Sequence, residues 1–248
     1  MLGCSGSLPG PSSPASSYLV RAGGTSLVLD LGGGALGALQ RECDPTDVDA
    51  LVLSHLHPDH CSDVASLVVH ARYAPVGRAA PLPLHAPSEA MARLAAAYAP
   101  SAAERAAADL SDVLDHRPLD GRPVDVGAVR LRSVPVAHPV EAYALRVEHG
   151  GRALVYTGDT GPCPQLAGFA AGADLLLAEA SWPHSPDNPP GLHLSGQEAG
   201  ELAAAAGVRR LVLTHVPPWT DPQQVLAEAR AVYDGPTELA RPGASYRL

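Results

Sequence analysis

The chain has 248 residues, a formal net charge of −9 and 46% hydrophobic residues, enough for one α/β domain with a large core over residues 1–248. It contains no lysine, which argues against a broad basic surface for a nucleic-acid partner. No run approaches the roughly 18 apolar residues of a membrane span and no basic-then-apolar leader opens the chain, so a cytoplasmic protein without a membrane partner is expected.

Tyr18-Leu19-Val20 and Ser26-Leu27-Val28-Leu29-Asp30 read as strands joined by a Gly23-Gly24 turn. Gly32-Gly33-Gly34 follows as a tight loop that lacks the lysine and the spacing of a phosphate loop. Asp30, at a strand end, either orients a neighbouring ligand loop by hydrogen bonds or serves as an ordinary turn aspartate. Ala50-Leu51-Val52-Leu53 is a short apolar run of the kind a fully buried strand shows. It leads into His55-Leu56-His57-Pro58-Asp59-His60, which packs four potential metal ligands into six positions. Chance pairs are expected among 11 histidines, but three with an aspartate in one hexapeptide are not. In extended backbone, positions two apart share a face, so His55 and His57 are set to grip one ion, while a turn at Pro58 aims Asp59 and His60 at a second. Imidazole with carboxylate suits zinc, with manganese and iron as alternatives. Cys4, Cys43, Cys61 and Cys163 follow no paired spacing, so neither a disulfide framework nor a cysteine zinc site is expected. Cys61 reads as a buried structural thiol.

Further along, Ser62 to Ala74 has helical spacing with Val64, Leu67, Val68 and Ala71 on one stripe. Ser88-Glu89 and Ser101 read as the starts of two Ala-rich helices running to Tyr98 and Leu110. Whether these pack on a sheet or cap the site stays open. A strand that ends in a ligand then recurs three times: Val134-Pro135-Val136-Ala137 into His138, Ala153 to Gly158 into Asp159, and Leu211 to Thr214 into His215. Such residues converge only if the strands have their C-terminal ends on one edge, where open α/β folds commonly place their sites. Gly150-Gly151 is placed to turn a hairpin, and Pro164 to Ala171 reads as a short helix. Pro183 to Pro190 is a proline-rich loop expected to line the pocket. Ser195-Gly196-Gln197-Glu198 has the spacing of a capping box that opens a helix to about Ala206. That puts His193 just before an N-terminus favourable to an anion such as phosphate. Arg132, Arg146, Arg209 and Arg210 are either phosphate contacts or solvated surface groups. Asp221-Pro222 caps a last helix to Tyr233.

His55, His57, Asp59 and His60 together form an HxHxDH motif that resembles the metallo-β-lactamase superfamily. Leu2 to Ser7, Thr157-Gly158-Asp159-Thr160, Glu179-Ala180-Ser181 and His193-Leu194-Ser195 are similar to its ribonuclease Z-like branch of phosphodiesterases. The runs Glu179 to Trp182, Leu192 to Gly196 and Thr214 to Trp219 are similar to bacterial cyclic-nucleotide phosphodiesterases of this fold. The resemblance spans nearly the whole chain and implies a four-layer αβ/βα sandwich of the α/β class. It implies two divalent metal ions, with His55, His57 and His138 on one, Asp59, His60 and His215 on the other, and Asp159 bridging. It also implies catalytic roles for Asp59, His193 and Glu179, with His193 contacting a phosphoryl oxygen or protonating the leaving oxygen and Glu179 orienting its imidazole. Two such ions about 3.5–4 Å apart lower the pKa of a bridging water and share the charge developing on phosphorus, so in-line attack by hydroxide is the expected reaction.

Bacterial ribonuclease Z carries a long transfer-RNA arm between the third histidine motif and the Gly-Asp-Thr motif, and here a hairpin alone separates His138 from Asp159. With the acidic charge, this turns the expectation to a small phosphodiester, above all a 3′,5′-cyclic nucleotide such as cyclic AMP or cyclic GMP. Trp182, Trp219 and Tyr143 are candidates for stacking on the base, or else core filler. A ribonuclease Z-like RNA phosphodiesterase and a lactone or thioester hydrolase stay open as alternatives, because fold does not separate carbonyl from phosphorus chemistry. A non-enzymatic metal-binding module would be expected to have lost ligands, whereas all seven are here. Two departures stand out: Ala178 lies where ribonuclease Z usually has histidine, and Met1 lies inside the first strand motif, so a few residues of that strand are expected to be missing. The oligomeric state is open, a homodimer included.

Overall fold

Strands that are apolar at nearly every position need cover on both faces. The computed structural model, which describes residues 1–75 and 78–248, provides it with two stacked sheets and helices on the outside. The first sheet contains β1 (Tyr18–Ala22), β2 (Thr25–Leu29), β3 (Ala50–Val52), β4 (Leu82–Ala86) and β5 (Leu114–Pro118), side by side in chain order. Apart from the antiparallel β1–β2 pair, these strands are parallel. The second sheet contains β6 (Val124–Val126), β7 (Val129–Pro135), β8 (Tyr143–His149), β9 (Arg152–Tyr156), β10 (Leu175–Glu179), β11 (Leu211–Thr214) and β12 (Thr237–Leu239), again in chain order across the sheet. Its first four strands form an antiparallel meander, and β9 to β12 are parallel.

Side-chain alternation sorts the apolar residues into three layers. Leu27, Leu29, Ala50 and Val52 point between the sheets and meet Leu131, Leu145, Tyr156, Leu177 and Val212. Their neighbours Val28, Leu51 and Leu53 point outward to α1 (Ala35–Leu39), α2 (Pro58–Cys61), α3 (Val64–Tyr73) and α4 (Ala90–Tyr98). On the far side, Leu176, Ala178, Leu211 and Leu213 pack with α6 (Pro164–Ala170), α7 (Gly196–Ala206) and α8 (Pro222–Val232). The result is the expected αβ/βα sandwich. The Ala-rich segment after Tyr98 departs from expectation: α5 (Ala102–Arg105) ends after one turn instead of reaching Leu110. Alanine propensity alone does not sustain a helix, and none of the residues of α5 is buried. Its predecessor α4 does persist, because Leu94 and Ala95 enter the core, and it belongs to the outer helical layer.

Local chemistry sets the remaining junctions. Gly150 and Gly151 have φ of 56° and 76°, the paired left-handed conformation that a tight hairpin turn requires. Ser195 and Glu198 complete a reciprocal capping box at the start of α7, which ends on Gly207 in the left-handed region. Because β2, β3, β7, β9, β10 and β11 run the same way within their sheets, their C-terminal ends share one edge of the sandwich. Two hydrogen bonds stitch the sheets together near that edge, Tyr143 N to Ser54 O at 3.0 Å and Tyr18 Oη with Thr214 Oγ1 at 2.8 Å. Among the described residues, no helix is long and apolar enough to cross a membrane.

Candidate metal centre

Pro58 stands at the first position of α2, which preorganises the turn after His57, and the short helix carries Asp59 and His60 away from His55 and His57. His55 Nε2 lies 3.1 Å from His57 Nδ1, which lies 3.2 Å from Nε2 of His138, just beyond β7. Asp159, after β9, brings Oδ2 to 3.7 Å from His55 Nε2. Ligands about 2.0–2.1 Å from a tetrahedral zinc are separated from one another by roughly 3.3 Å, so these nitrogens stand at the spacing of ligands that share an ion. Two of the far nitrogens are engaged: His138 Nδ1 donates to Leu192 O at 2.9 Å, and His55 Nδ1 meets Ser54 Oγ at 3.1 Å. Burial holds all three imidazoles below the usual histidine range, which keeps them neutral with lone pairs free.

A second group forms around the same aspartate. His60 Nε2 lies 3.2 Å from Asp159 Oδ1 and 3.2 Å from His215 Nε2, which in turn lies 3.0 Å from Asp59 Oδ2 and 3.3 Å from Asp159 Oδ2. Burial opposes every charge here, yet the imidazoles of His215 and His60 hold Asp59 and Asp159 well below the usual carboxylate range. The reciprocal effect overcomes burial of the rings: Asp159 and Asp30 raise His60, and Asp159 with Asp59 lifts His215 to about 10. Protons thus supply positive charge that a divalent cation at this spot would also supply. Asp159 Oδ1 is buried without a hydrogen bond, the condition of a carboxylate oxygen reserved for a metal. In each group the potential ligand atoms lie within 4.8 Å of one another. The donor set therefore fits divalent metal ions.

Glu179, the fully buried last residue of β10, lies behind Asp159. Its carboxylate accepts from Thr160 N and from Ser181 Oγ at 2.7 Å, and it faces His193 Nδ1 at 2.9 Å. The His193 contact is an ion pair, without the alignment of a directed hydrogen bond. Burial disfavours the charged His193 ring, but Glu179 outweighs it and raises the pKa above the ordinary value. Asp159, Glu179, His193 and His215 form a third grouping of potential ligands.

Every residue singled out from the sequence as a ligand or catalytic group meets at this edge. The groups that hold them were largely missed. Asp30 accepts from Ser54 N, Ser54 Oγ, Tyr156 Oη and His60 Nδ1 at 2.6 to 2.8 Å. It is the orienting member of the two roles considered for it, and it adopts a left-handed φ of 56°, a conformation costly for most residues but tolerated by aspartate. Ser181 Oγ donates to Glu179 and so accepts from His215 Nδ1 at 2.9 Å, which directs His215 Nε2 to the ligand group. Adjacency was the available signal, since Ser54 precedes His55 and Ser181 follows Glu179 by two. Tyr143 is not a stacking residue: it lies between the sheets, and its hydroxyl donates to Glu141 at 2.8 Å. Trp182 stands edge-on to His193 with ring centroids 5.0 Å apart, and Trp219 is 68% exposed. The four arginines considered as phosphate contacts are engaged elsewhere: Arg132 over Phe169, Arg146 with Glu148, Arg209 with Asp174 and Arg210 with Glu238. Cys61 is buried, as expected, with its thiol pushed up to about 11 by burial.

A family model for the β-lactamase superfamily domain matches residues 28–216, from β2 through the residue after His215. The chain belongs to this superfamily. It is a metal-dependent hydrolase with the metallo-β-lactamase fold. An uncharacterized protein of Mycobacterium leprae is 52% identical over 251 residues, covering 100% of this chain and 87% of that protein. Ribonuclease Z of Mycobacterium sp. strain KMS is 32% identical over 259 residues, covering 96% of this chain and 91% of the enzyme. The crystal structure of the metallo-β-lactamase fold protein YhfI from Bacillus subtilis superposes with a TM-score of 0.86 at 26% identity, covering 99% of this chain and 97% of that one.

Proposed function

We propose that this superfamily member is a binuclear phosphodiesterase that hydrolyses a small phosphodiester, with a 3′,5′-cyclic nucleotide as substrate. The observation that carries the reading is the pair of ligand groups sharing Asp159, with His193 and Glu179 directly alongside. His55, His57 and His138 would hold one ion and Asp59, His60 and His215 the other, with Asp159 shared by both groups. Imidazole and carboxylate donors favour zinc, with manganese or iron as substitutes. When bound, the two ions supply an activated water and neutralise charge developing on the phosphoryl oxygens.

The chain's own groups do the rest. Asp59, besides serving as a ligand, would take up the proton of the attacking water. Glu179, fixed by Thr160 N and Ser181 Oγ, holds His193 by its Nδ1 and stabilises the protonated ring. Nε2 of that ring is then the proton donor to the leaving oxygen. The α7 dipole, whose cap Ser195 is two residues beyond, adds only its field, since Ser195 N, Gly196 N and Glu198 N are bonded to Glu198, Trp182 and Ser195. Trp182, edge-on to His193, gives the base an aromatic surface, with the exposed Trp219 as the second candidate for stacking.

An RNA phosphodiester is the second reading, favoured by the relationship to a mycobacterial ribonuclease Z. Against it stand the net charge of −9, the lack of lysine and the tight β8–β9 hairpin between His138 and Asp159. Purified protein supplied with zinc or manganese is to be assayed on bis-p-nitrophenyl phosphate, cyclic AMP, cyclic GMP, precursor transfer RNA and a lactone. Cyclic nucleotides are expected to turn over fastest. Hydrolysis of the lactone alone would refute the phosphodiesterase reading, and preference for the RNA would replace its substrate.

A further inference from the structure

The loop between β10 and α7 touches the centre at two neighbouring residues. Leu192 turns its carbonyl to His138 Nδ1 at 2.9 Å, and His193 follows directly, 2.9 Å from Glu179 Oε2. Accepting the Nδ1 proton leaves His138 Nε2 bare towards His57, the tautomer a ligand needs. The base of the loop is pinned by Ser181 N to Leu194 O at 3.0 Å and Gly196 N to Trp182 O at 3.3 Å.

On its other side the loop is located by a close approach of two backbones. A Cβ on Gly161 would lie 2.5 Å from the Cα of Gly191, so any side chain at 161 must push Gly191, and Leu192 with it, away. Gly161 N also donates to Ala137 O at 2.8 Å, next to His138. A closed circuit results, from Ala137 through Gly161, Gly191 and Leu192 back to His138.

We propose that Gly161 and Gly191 are positioning residues whose backbone contact seats the Leu192 carbonyl on His138 and His193 on Glu179, coupling ion binding by His55, His57 and His138 to the placement of His193. This coupling rests on the reading of those three histidines as an ion site. The test is Gly161→Ala in the full chain, with zinc titrated against a chromophoric chelator and turnover of bis-p-nitrophenyl phosphate measured at saturating zinc. Wild type is expected to bind two ions. In the variant one ion should weaken by about 10–100-fold, the range for losing an orienting partner of a ligand, while the other is unchanged. At saturating zinc, kcat should fall by about tenfold or more with KM within about threefold, because His193 is displaced as well.

Equal weakening of both ions, or of neither, overturns the proposal and marks Gly161 as structural. If wild type binds no ion, the reading of the centre falls and this proposal with it, an outcome distinct from a wild type that binds two and a variant that matches it. Should Gly161→Ala not fold, Gly191→Ala serves instead: no atom lies within 4 Å of its added Cβ, and it perturbs the loop through its φ of +69° alone. It should weaken the same single ion several-fold, and unchanged affinity overturns the proposal.

Discussion

Replacing Asp30 by asparagine keeps the side-chain shape and the left-handed φ of 56°, but exchanges one acceptor oxygen for an NH2 donor. Four donors converge on that carboxylate: Ser54 N on Oδ1, and Ser54 Oγ, Tyr156 Oη and His60 Nδ1 on Oδ2. If the amide nitrogen takes the Oδ1 place, it opposes the Ser54 N–H, which cannot reverse, and His55 shifts with its neighbour. If it takes the Oδ2 place, the two hydroxyls can turn, but His60 must move its proton to Nε2, the atom 3.2 Å from Asp159 Oδ1. Either arrangement loses a charge-assisted hydrogen bond, about 1.5–3 kcal/mol, and leaves a buried donor poorly served, about 1–3 kcal/mol. The sum, about 2.5–6 kcal/mol, corresponds to a fall of roughly 5–24 °C in Tm for a chain of this size. Affinity for one ion should drop about 10–100-fold, because a ligand has lost its orienting partner. Thermal melts of chelator-treated protein and zinc competition titrations measure the two effects. An Asp30→Asn protein that melts within about 1 °C of wild type and binds both ions normally would refute the role assigned to Asp30.

His193→Ala should lower turnover by about 10²–10⁴-fold, the range for a lost general acid, with two ions still bound by elemental analysis; unchanged turnover removes it from the mechanism. Glu179→Gln removes the charge that raises His193 above its ordinary value, so the alkaline limb of the pH–rate profile should move to lower pH, and an unmoved limb separates Glu179 from His193. In ion-free protein, the raised His60 and His215 contribute stability that is full below about pH 6.5 and is lost at higher pH, for His215 as pH rises through about 10, while the depressed Asp59 and Asp159 contribute above about pH 3.8 and fail as pH falls. The lowered His55, His57 and His138 act in the opposite sense and cost stability as pH falls below about 6.5, so chelated protein should melt highest near about pH 6.5 and lower on either side. Ion binding near pH 7 should release about two protons, one from each raised ring; calorimetry in buffers of different ionisation enthalpy reads the number, and zero release contradicts the protonation scheme. Ser195→Ala breaks the capping box of α7 and should cost about 1 kcal/mol, read as a modest fall in Tm.

The residues that meet at the centre were legible because their strands announce themselves. Runs such as Ala50 to Leu53 and Leu211 to Thr214 are apolar at successive positions, which marks strands buried on both faces, and a histidine or aspartate directly after such a run stands at the sheet edge. What holds those residues was much less legible. Leu192 acts through its carbonyl, a group every residue possesses, and Tyr143 lies in a stretch, Tyr143 to Leu145, buried at consecutive positions, so no alternation tells which side faces the site. The Ala-rich segment after Ser101 misled for the opposite reason, since its composition favours helix while its surroundings give it nothing to bury.

Sequence alone determined the buried strands and the set of titratable residues at their ends, because these depend on local periodicity and on residue chemistry, while the αβ/βα sandwich was implied by the resemblance of its motifs to the superfamily. The tertiary structure decided that Asp159 lies between two groups of imidazoles, that Asp30, Ser54 and Ser181 direct the rings of His60, His55 and His215, and that Gly161 lets the Leu192 loop reach His138. Those relations join residues as far apart as Asp30 and Tyr156 or Ser181 and His215. Distances of a few ångströms between such residues are set by how two sheets stack and by which backbones can approach, quantities no single segment encodes.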